Sequence, residues 1–340
     1  MKIGCLIYSY GEKFREIAAC AVNSFKKFHP DVELVHITEN NQHDFSATKF
    51  IKLYGQGIYK HMIALEVMKK YKFDKIIILG ADTITCSRLD EFVDNNEDDI
   101  LVTLSYPFHN VYPFVSPELQ RFGAIPTPTI LYKKDDKIIK EHHHFNSDVL
   151  CFNNAEALEQ AVMCGIGHGH ALDRRFQFQR ETINDQRKRL DLEPICSDFY
   201  AENGGLNILC TISYDNQNQE NLCTWAGLDY NFKVKCVDGP YSESSVVYNA
   251  RAKGNIVAAA NEKPWGRYTN QFYVKNNKLF TGDHKQIKIW HYCEAFGSIP
   301  DEQFADLMNN WIFDWFNEET KKFFKEQCDC EDFFEKEFSI

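Results

Sequence analysis

No stretch of this chain approaches the ~18 consecutive apolar residues that a membrane-spanning helix needs. The N-terminal MKIGCLIYSYGEKF is too short and too strand-like for a secretory leader, whose apolar core runs about 7–15 residues before a small-residue cleavage site. No internal repeat and no low-complexity linker interrupts the 340 residues. No two of the twelve cysteines stand in CxxC spacing, which argues against a structural zinc site. Cys5, Cys86 and Cys151 lie in apolar, strand-like runs where a free thiol behaves as a small hydrophobe. A reducing compartment is therefore expected, and with no targeting segment a cytoplasmic location. An excess of basic charge is missing as well. The formal net charge of −11 argues against general binding to nucleic acid or to an anionic membrane. That charge is lopsided, with twelve acids against four bases in residues 301–340, so the body is close to neutral.

The chain is organised around Lys75–Cys86, KIIILGADTITC. Four apolar residues in a row, Ile76 to Leu79, predict a strand buried on both faces, the pattern of a parallel sheet. Gly80 and Ala81 follow, small enough to let a ligand approach the backbone. Asp82 and Thr83 come next. An acid at the carboxyl end of such a strand stands where open α/β sheets bind ligands. The plainer alternative is a solvated turn or Asx cap.

Upstream, residues 2–8 read as a first strand. A helix is expected over about Glu12–Phe28, with Phe14, Ile17, Ala18, Ala21, Val22 and Phe25 at helical spacing. Pro30 stops it, and Val32–Ile37 reads as strand two. A helix over Tyr59–Tyr71 leads into the central strand, so the order β-α-β-α-β implies a parallel sheet. Downstream, Ser87–Asn95 reads as a short helix and DDILVTLS as a strand. Residues 106–130 are a proline-rich loop, VLCF is a strand entered through Phe145–Asp148, and Ala155–Cys164 is helical. From 211 to 290 short strands alternate with turns, ending in QIKIWHYC, and residues 301–326 are helical again.

Taken in order, these pieces resemble a nucleotide-sugar glycosyltransferase of the A-type fold, closest in layout to the glycogenin-like family 8 enzymes. The first strand ends in Tyr8-Ser9-Tyr10, where that family holds its nucleoside. ILGADT resembles the family's LDADT, which carries its DxD motif. FNSDVLCFNN resembles FNSGV, ENGGLNIL resembles the DQxxLN turn, and KIWHY resembles the late KxxHF segment. The likeness spans roughly residues 2–292. It implies a single Rossmann-like α/β domain over 1–298 with a mixed, mostly parallel central sheet. An acidic, aromatic-rich helical extension over 299–340 would pack on it.

The resemblance also implies a chemistry. A sugar diphosphate gains negative charge as the glycosidic bond breaks, and a divalent cation offsets it. Mn²⁺ or Mg²⁺ is expected, held by Asp82 and His291. Mn²⁺ accepts imidazole more readily than Mg²⁺ does. Tyr8, Ser9, Tyr10, Lys60, Gly80, Ala81, Asn146 and Ser147 map to the donor side, with a UDP-sugar favoured. Glu202 and Asn203 match the turn placed near the anomeric carbon, where a carboxylate could stabilise an oxocarbenium-like transition state or act as nucleophile. Asp148, which replaces a glycine, joins them as a candidate catalytic carboxylate or sugar-hydroxyl acceptor. Transfer would be retaining, to a hydroxyl acceptor. One departure stands out: the first acid of DxD is Gly80 here. Its loss predicts weaker metal binding, a replacement ligand such as Thr83 or a further acid, or metal-free catalysis. The rival reading from another class is a catalytically degenerate nucleotide-sugar or glycan-binding module. A sugar-1-phosphate nucleotidyltransferase would share the sheet but place a glycine-rich basic loop after strand one, where YSYGEKFREI stands.

Other features point less far. His142–His144 alternate across a strand and cannot converge on one ion. GIGHGH at 165–170 follows a helix pattern rather than a strand, unlike a phosphate loop. Phe304, Leu307, Met308, Trp311 and Trp315 form one helical stripe, which suits docking onto the body, with a homodimer contact the second option.

Overall fold

In a computed structural model the described residues are 1–9, 12–47, 59–105, 129–134, 137–142, 144–166, 205–206, 209–210, 213, 230–238, 245–248, 250–251, 272–281, 284–291 and 318–330. β1 (Ile3–Tyr8), α1 (Glu12–Phe28), β2 (Glu33–Ile37), α2 (Tyr59–Tyr71) and β3 (Lys75–Gly80) follow one another as the hydrophobic patterning predicts. β4 (Thr83–Thr85), α3 (Asp90–Asp94) and β5 (Ile100–Ser105) come next, then the β6–β7 pair (Thr129–Lys134, Lys137–His142) and β8 (His144–Phe152). A helix, α4, covers residues 155–166. β9 is Val234–Cys236, and the described chain ends in helix α5, Glu318–Cys328.

The central sheet has six strands in the order β2-β1-β3-β8-β5-β9. β1 runs parallel to both β2 and β3, and β5 parallel to β9. β8 alone runs against its neighbours, antiparallel to β3 and to β5. The fold is thus mixed α/β with a mostly parallel sheet. Every residue of β3 is buried, and alternate residues serve opposite cores. Ile76 and Ile78 pack with Ile63, Ala64 and Val67 of α2 and with Ala157, Leu158 and Ala161 of α4. Ile77 and Leu79 pack with Ala18, Ala21 and Phe25 of α1 and with Phe92 of α3. Helices therefore cover both faces, which is why the strand reads as an unbroken apolar run. Each of these four side chains contributes roughly 1.5–3 kcal/mol by leaving water.

Lys75, at the foot of β3, departs from what its charge suggests. It is fully buried, and its ammonium donates to the carbonyls of Phe92 and Val93, each at 3.0 Å, and of Asn95. It thereby satisfies carbonyls at the end of α3, a place that favours a cation. Burial pulls its pKa below the ordinary 10.5.

Beyond the main sheet, β10 (Val246–Val247), β14 (Gln286–Ile287), β13 (Lys278–Thr281) and β12 (Phe272–Lys275) form a second sheet. A smaller one joins β11 (Ala250–Arg251), β15 (Ile289–His291) and β4. β15 runs antiparallel to β4, setting Ile289 against Thr85, Trp290 against Ile84 and His291 against Thr83. This ribbon is anchored to α1 where the Thr85 N–H donates to Ser24 Oγ at 3.0 Å. The stripe Phe304–Trp315 lies outside the described residues. The described α5 docks intramolecularly, with Phe324 tilted against Trp290 at 5.2 Å between ring centroids.

Candidate active site

At the carboxyl end of β3 the chain turns through Gly80-Ala81-Asp82 into β4. The Thr83 hydroxyl closes this turn by donating to the Gly80 carbonyl at 2.8 Å. Thr83 is fully buried and held there as part of the turn. The turn projects Asp82 toward β15, where His291 is delivered by its pairing with Thr83. His291 Nε2 lies 3.3 Å from Asp82 Oδ1, with the imidazole 1% and the carboxylate side chain 15% exposed. Two residues from distant parts of the sequence thus meet.

A second pair stands beside the first. Lys60, the second residue of α2, is buried, and its ammonium bonds Asp148 Oδ1. The lysine is thus paired at the helix start rather than solvated. Its neighbour His61 bonds the Ser147 backbone, so the start of α2 is seated on β8 at two successive residues. Asp148 lies within β8, and its N–H donates to Asn146 Oδ1 at 2.8 Å. Asn146 and Ser147 are each 2% exposed.

Gly80 is where the pairs meet. β3 and β8 pair with Leu79 against Val149, and one step further along the register Gly80 falls opposite Asp148. A Cβ on Gly80 would lie 2.5 Å from Asp82 Oδ1 and 3.3 Å from Asp148 Cβ. The two carboxylate-bearing side chains therefore crowd a single missing methyl. Asp82, Asp148, Lys60 and His291 form one polar constellation on the floor set by β3 and β8. The acid absent from position 80 has a counterpart on the adjacent strand, which linear motif spacing does not reveal.

Tyr8 pairs with Gly80 at the end of β1. Ser9 is buried, its N–H donating to Ile37 O at 2.9 Å and its hydroxyl bonded to His36 Nε2 at 2.9 Å. Ala81 is 7% exposed. Tyr10, Glu202 and Asn203 lie outside the described residues, as do residues 167–170 of the GIGHGH stretch.

The donor set can be tested against a divalent cation. Two ligands in adjacent positions of an octahedral ion with bonds of 2.0–2.1 Å stand about 3 Å apart, close to the Asp82–His291 separation. Among the described residues no group of three or more His, Cys, Asp or Glu is placed to hold a metal. The Asp82–His291 spacing by itself would suit two ligands of such an ion, the other positions falling to water or substrate oxygens.

No protein-family model matches the sequence, and no curated protein sequence matches it. Solved structures do. The chain is similar to the galactosyltransferase LgtC in complex with donor and acceptor sugar analogues, at 13% identity and a TM-score of 0.38, over 95% of this chain and 100% of that one. It is similar to the bifunctional glycosyltransferase WbbM at 12% identity and a TM-score of 0.41, over 96% of this chain and 52% of that one. A197 from STIV matches at 16% identity and a TM-score of 0.26, over 47% and 68% of the two chains. The likeness is distant. It carries no function across to this chain, whose α/β architecture stands on its own sheet. No described helix is long and apolar enough to cross a membrane.

Proposed function

We propose that the chain is a glycosyltransferase of the glycogenin-like kind, moving a sugar from a nucleotide diphosphate, with UDP favoured, to a hydroxyl acceptor with retention. The observation that supports it most is the meeting of Asp82 and His291 at 3.3 Å beyond the carboxyl end of β3, on the ribbon formed by β4 and β15. This is the end of the sheet at which α/β folds hold ligands. Asp82 and His291 would hold Mn²⁺ or Mg²⁺, which supplies charge neutralisation to a leaving diphosphate. Lys60 holds Asp148 in place from α2, so that a carboxylate is fixed beside Asp82 without a side chain at position 80. Both acids are partly withdrawn from water, which strengthens their interaction with a bound sugar or phosphate partner. Glu202 and Asn203 belong to the same reading as the groups near the anomeric carbon, and a cytoplasmic location is part of it.

The reading is tested by calorimetric titration of UDP and of GDP, each with and without Mn²⁺. UDP binding strengthened by Mn²⁺ in the native chain, and lost with an unchanged thermal midpoint in Asp82→Ala, is the expected result. Metal-enhanced binding that survives Asp82→Ala overturns the metal assignment. Hydrolysis of UDP-sugar without acceptor separates a transferase from a pure binding module, which would bind the donor and leave it intact.

A further inference from the structure

The end of α5 folds back on itself. Asp329 takes φ 58°, the left-handed conformation that closes a helix, and the Cys330 N–H returns to Phe324 O at 3.2 Å. This reversal turns Cys328 and Cys330 inward, against Cys20 of α1 and Cys86 at the end of β4. The four are 5% or less exposed. The Cys330 thiol lies 3.8 Å from the Cys20 carbonyl and 3.4 Å from the Cys328 carbonyl and faces the Cys20 thiol, while the Cys328 thiol faces that of Cys86. All four are free thiols. Among the described residues no set of three or more ligating groups is arranged for a metal; the four thiols are neighbours in one cluster, within which Cys20 faces Cys330 and Cys86 faces Cys328.

We propose that Cys20–Cys330 and Cys86–Cys328 are two redox pairs whose oxidation staples α5 to α1 and to the ribbon that carries Asp82 and His291. In each pair the two thiols lose two protons and two electrons as an S–S bond forms. A small-molecule disulfide such as oxidised glutathione accepts them, passing through a mixed disulfide and ending as two thiols. Burial keeps all four thiols from water, so exchange proceeds only while α5 is lifted from its bed, and oxidation captures the helix as it returns. In the reduced state packing, such as Phe324 on Trp290, and the Lys27 ammonium donating to the Glu326 carbonyl hold that helix behind the ribbon.

The experiment takes the full chain, reduced, through incubation with oxidised glutathione, alkylation, digestion without reductant and mass spectrometry. The expected result is one peptide pair joining Cys20 to Cys330 and another joining Cys86 to Cys328. The thermal midpoint should rise by about 5 °C or more, since each link closes a long loop, and dithiothreitol should reverse the rise. Cys20→Ser should lose only the first link and melt within a few degrees of the native chain under reductant. As a readout free of substitutions, the four native thiols should react with an alkylating agent at one shared rate, that of α5 lifting. Links to other cysteines, a Cys328–Cys330 link, unchanged midpoints, four unrelated alkylation rates, or zinc retained at one equivalent by the thiols would each overturn the proposal.

Discussion

Gly80→Ala separates site from fold more sharply than any other single change. The position is extended, so alanine meets no backbone strain, and replacing a strand glycine gains about 0.5–1 kcal/mol of conformational entropy. The added methyl would stand 2.5 Å from Asp82 Oδ1, closer than any real contact, and 3.3 Å from Asp148 Cβ. The cheapest relief is rotation of the short Asp82 side chain, because Asp148 Cβ is fixed to β8. Overpacking of this kind costs about 1–3 kcal/mol before relief, so net stability should change by about 1 kcal/mol or less. The Asp82 carboxylate, however, leaves its place 3.3 Å from His291. On the proposed metal site, displacing Asp82 should weaken metal affinity by at least the roughly 10–100-fold that loss of a ligand's outer-shell partner costs. Thermal unfolding and calorimetry of UDP with Mn²⁺ read the two effects separately, and Gly80→Ala/Asp148→Gly should recover part of the binding. Native metal-dependent binding in Gly80→Ala at an unchanged melting temperature would refute the argument, because Asp82 would then not be held where it matters.

Lys60→Met should destabilise by about 1–3 kcal/mol in urea unfolding, since it leaves the Asp148 carboxylate without its ammonium. Adding Asp148→Asn should return part of that loss, and strict additivity would show the pair is not coupled. Phe324→Ala should cost about 3–5 kcal/mol and loosen β15 through the emptied contact on Trp290; a loss below about 1 kcal/mol would mean α5 is not docked there. Burial, helped by Arg88, pulls His29 from 6.5 to about 4, and burial, helped by Lys60, pulls His61 to about 3. The unfolded chain therefore binds protons that the folded chain refuses. The stability these neutral histidines carry is complete above pH 6.5 and is lost as pH falls, by up to about 1.4 kcal/mol per pH unit each. Urea unfolding at pH 7, 6 and 5 should show the fall. His29→Gln should flatten it, and a level profile in the native chain would contradict the buried, neutral state.

How much of this was legible follows from what each signal encodes. α1 and α2 fall where their periodicity puts them, because each lays one apolar stripe on the sheet. β3 was legible from four apolar residues, since burial on both faces removes alternation. The direction of β8 was not: side-chain patterning fixes which face a residue takes, not whether a strand runs with or against its neighbour. From that direction follows the register that sets Asp148 against Gly80, and so the second carboxylate could not be placed from the motif alone. Asp82 and His291 were readable as a pair only through the family likeness, and the β4–β15 ribbon supplies their contact. Lys75 reads as the polar entrance to a strand and proves buried, because the carbonyls that receive it belong to α3. Cys86 reads as a small hydrophobe. Its meeting with Cys328 depends on the docking of α5 more than two hundred residues later, which local sequence does not carry.

Lys75 also fixes how far β3 can travel. Slipping the strand by one residue would exchange the residues of the two cores. Slipping it by two would restore the faces but carry an ammonium about 6.6 Å along the sheet, either into the apolar layer or out of reach of the α3 carbonyls. Neither shift is tolerable, so a cation at the bottom of the strand determines the height at which Gly80 and Asp82 emerge at the top. The depth of the floor that carries Asp82 and Asp148 is thereby set by a residue at the far end of the strand. Lys75→Met would be expected to blur that height and lower ligand affinity with every residue of the floor itself left unsubstituted.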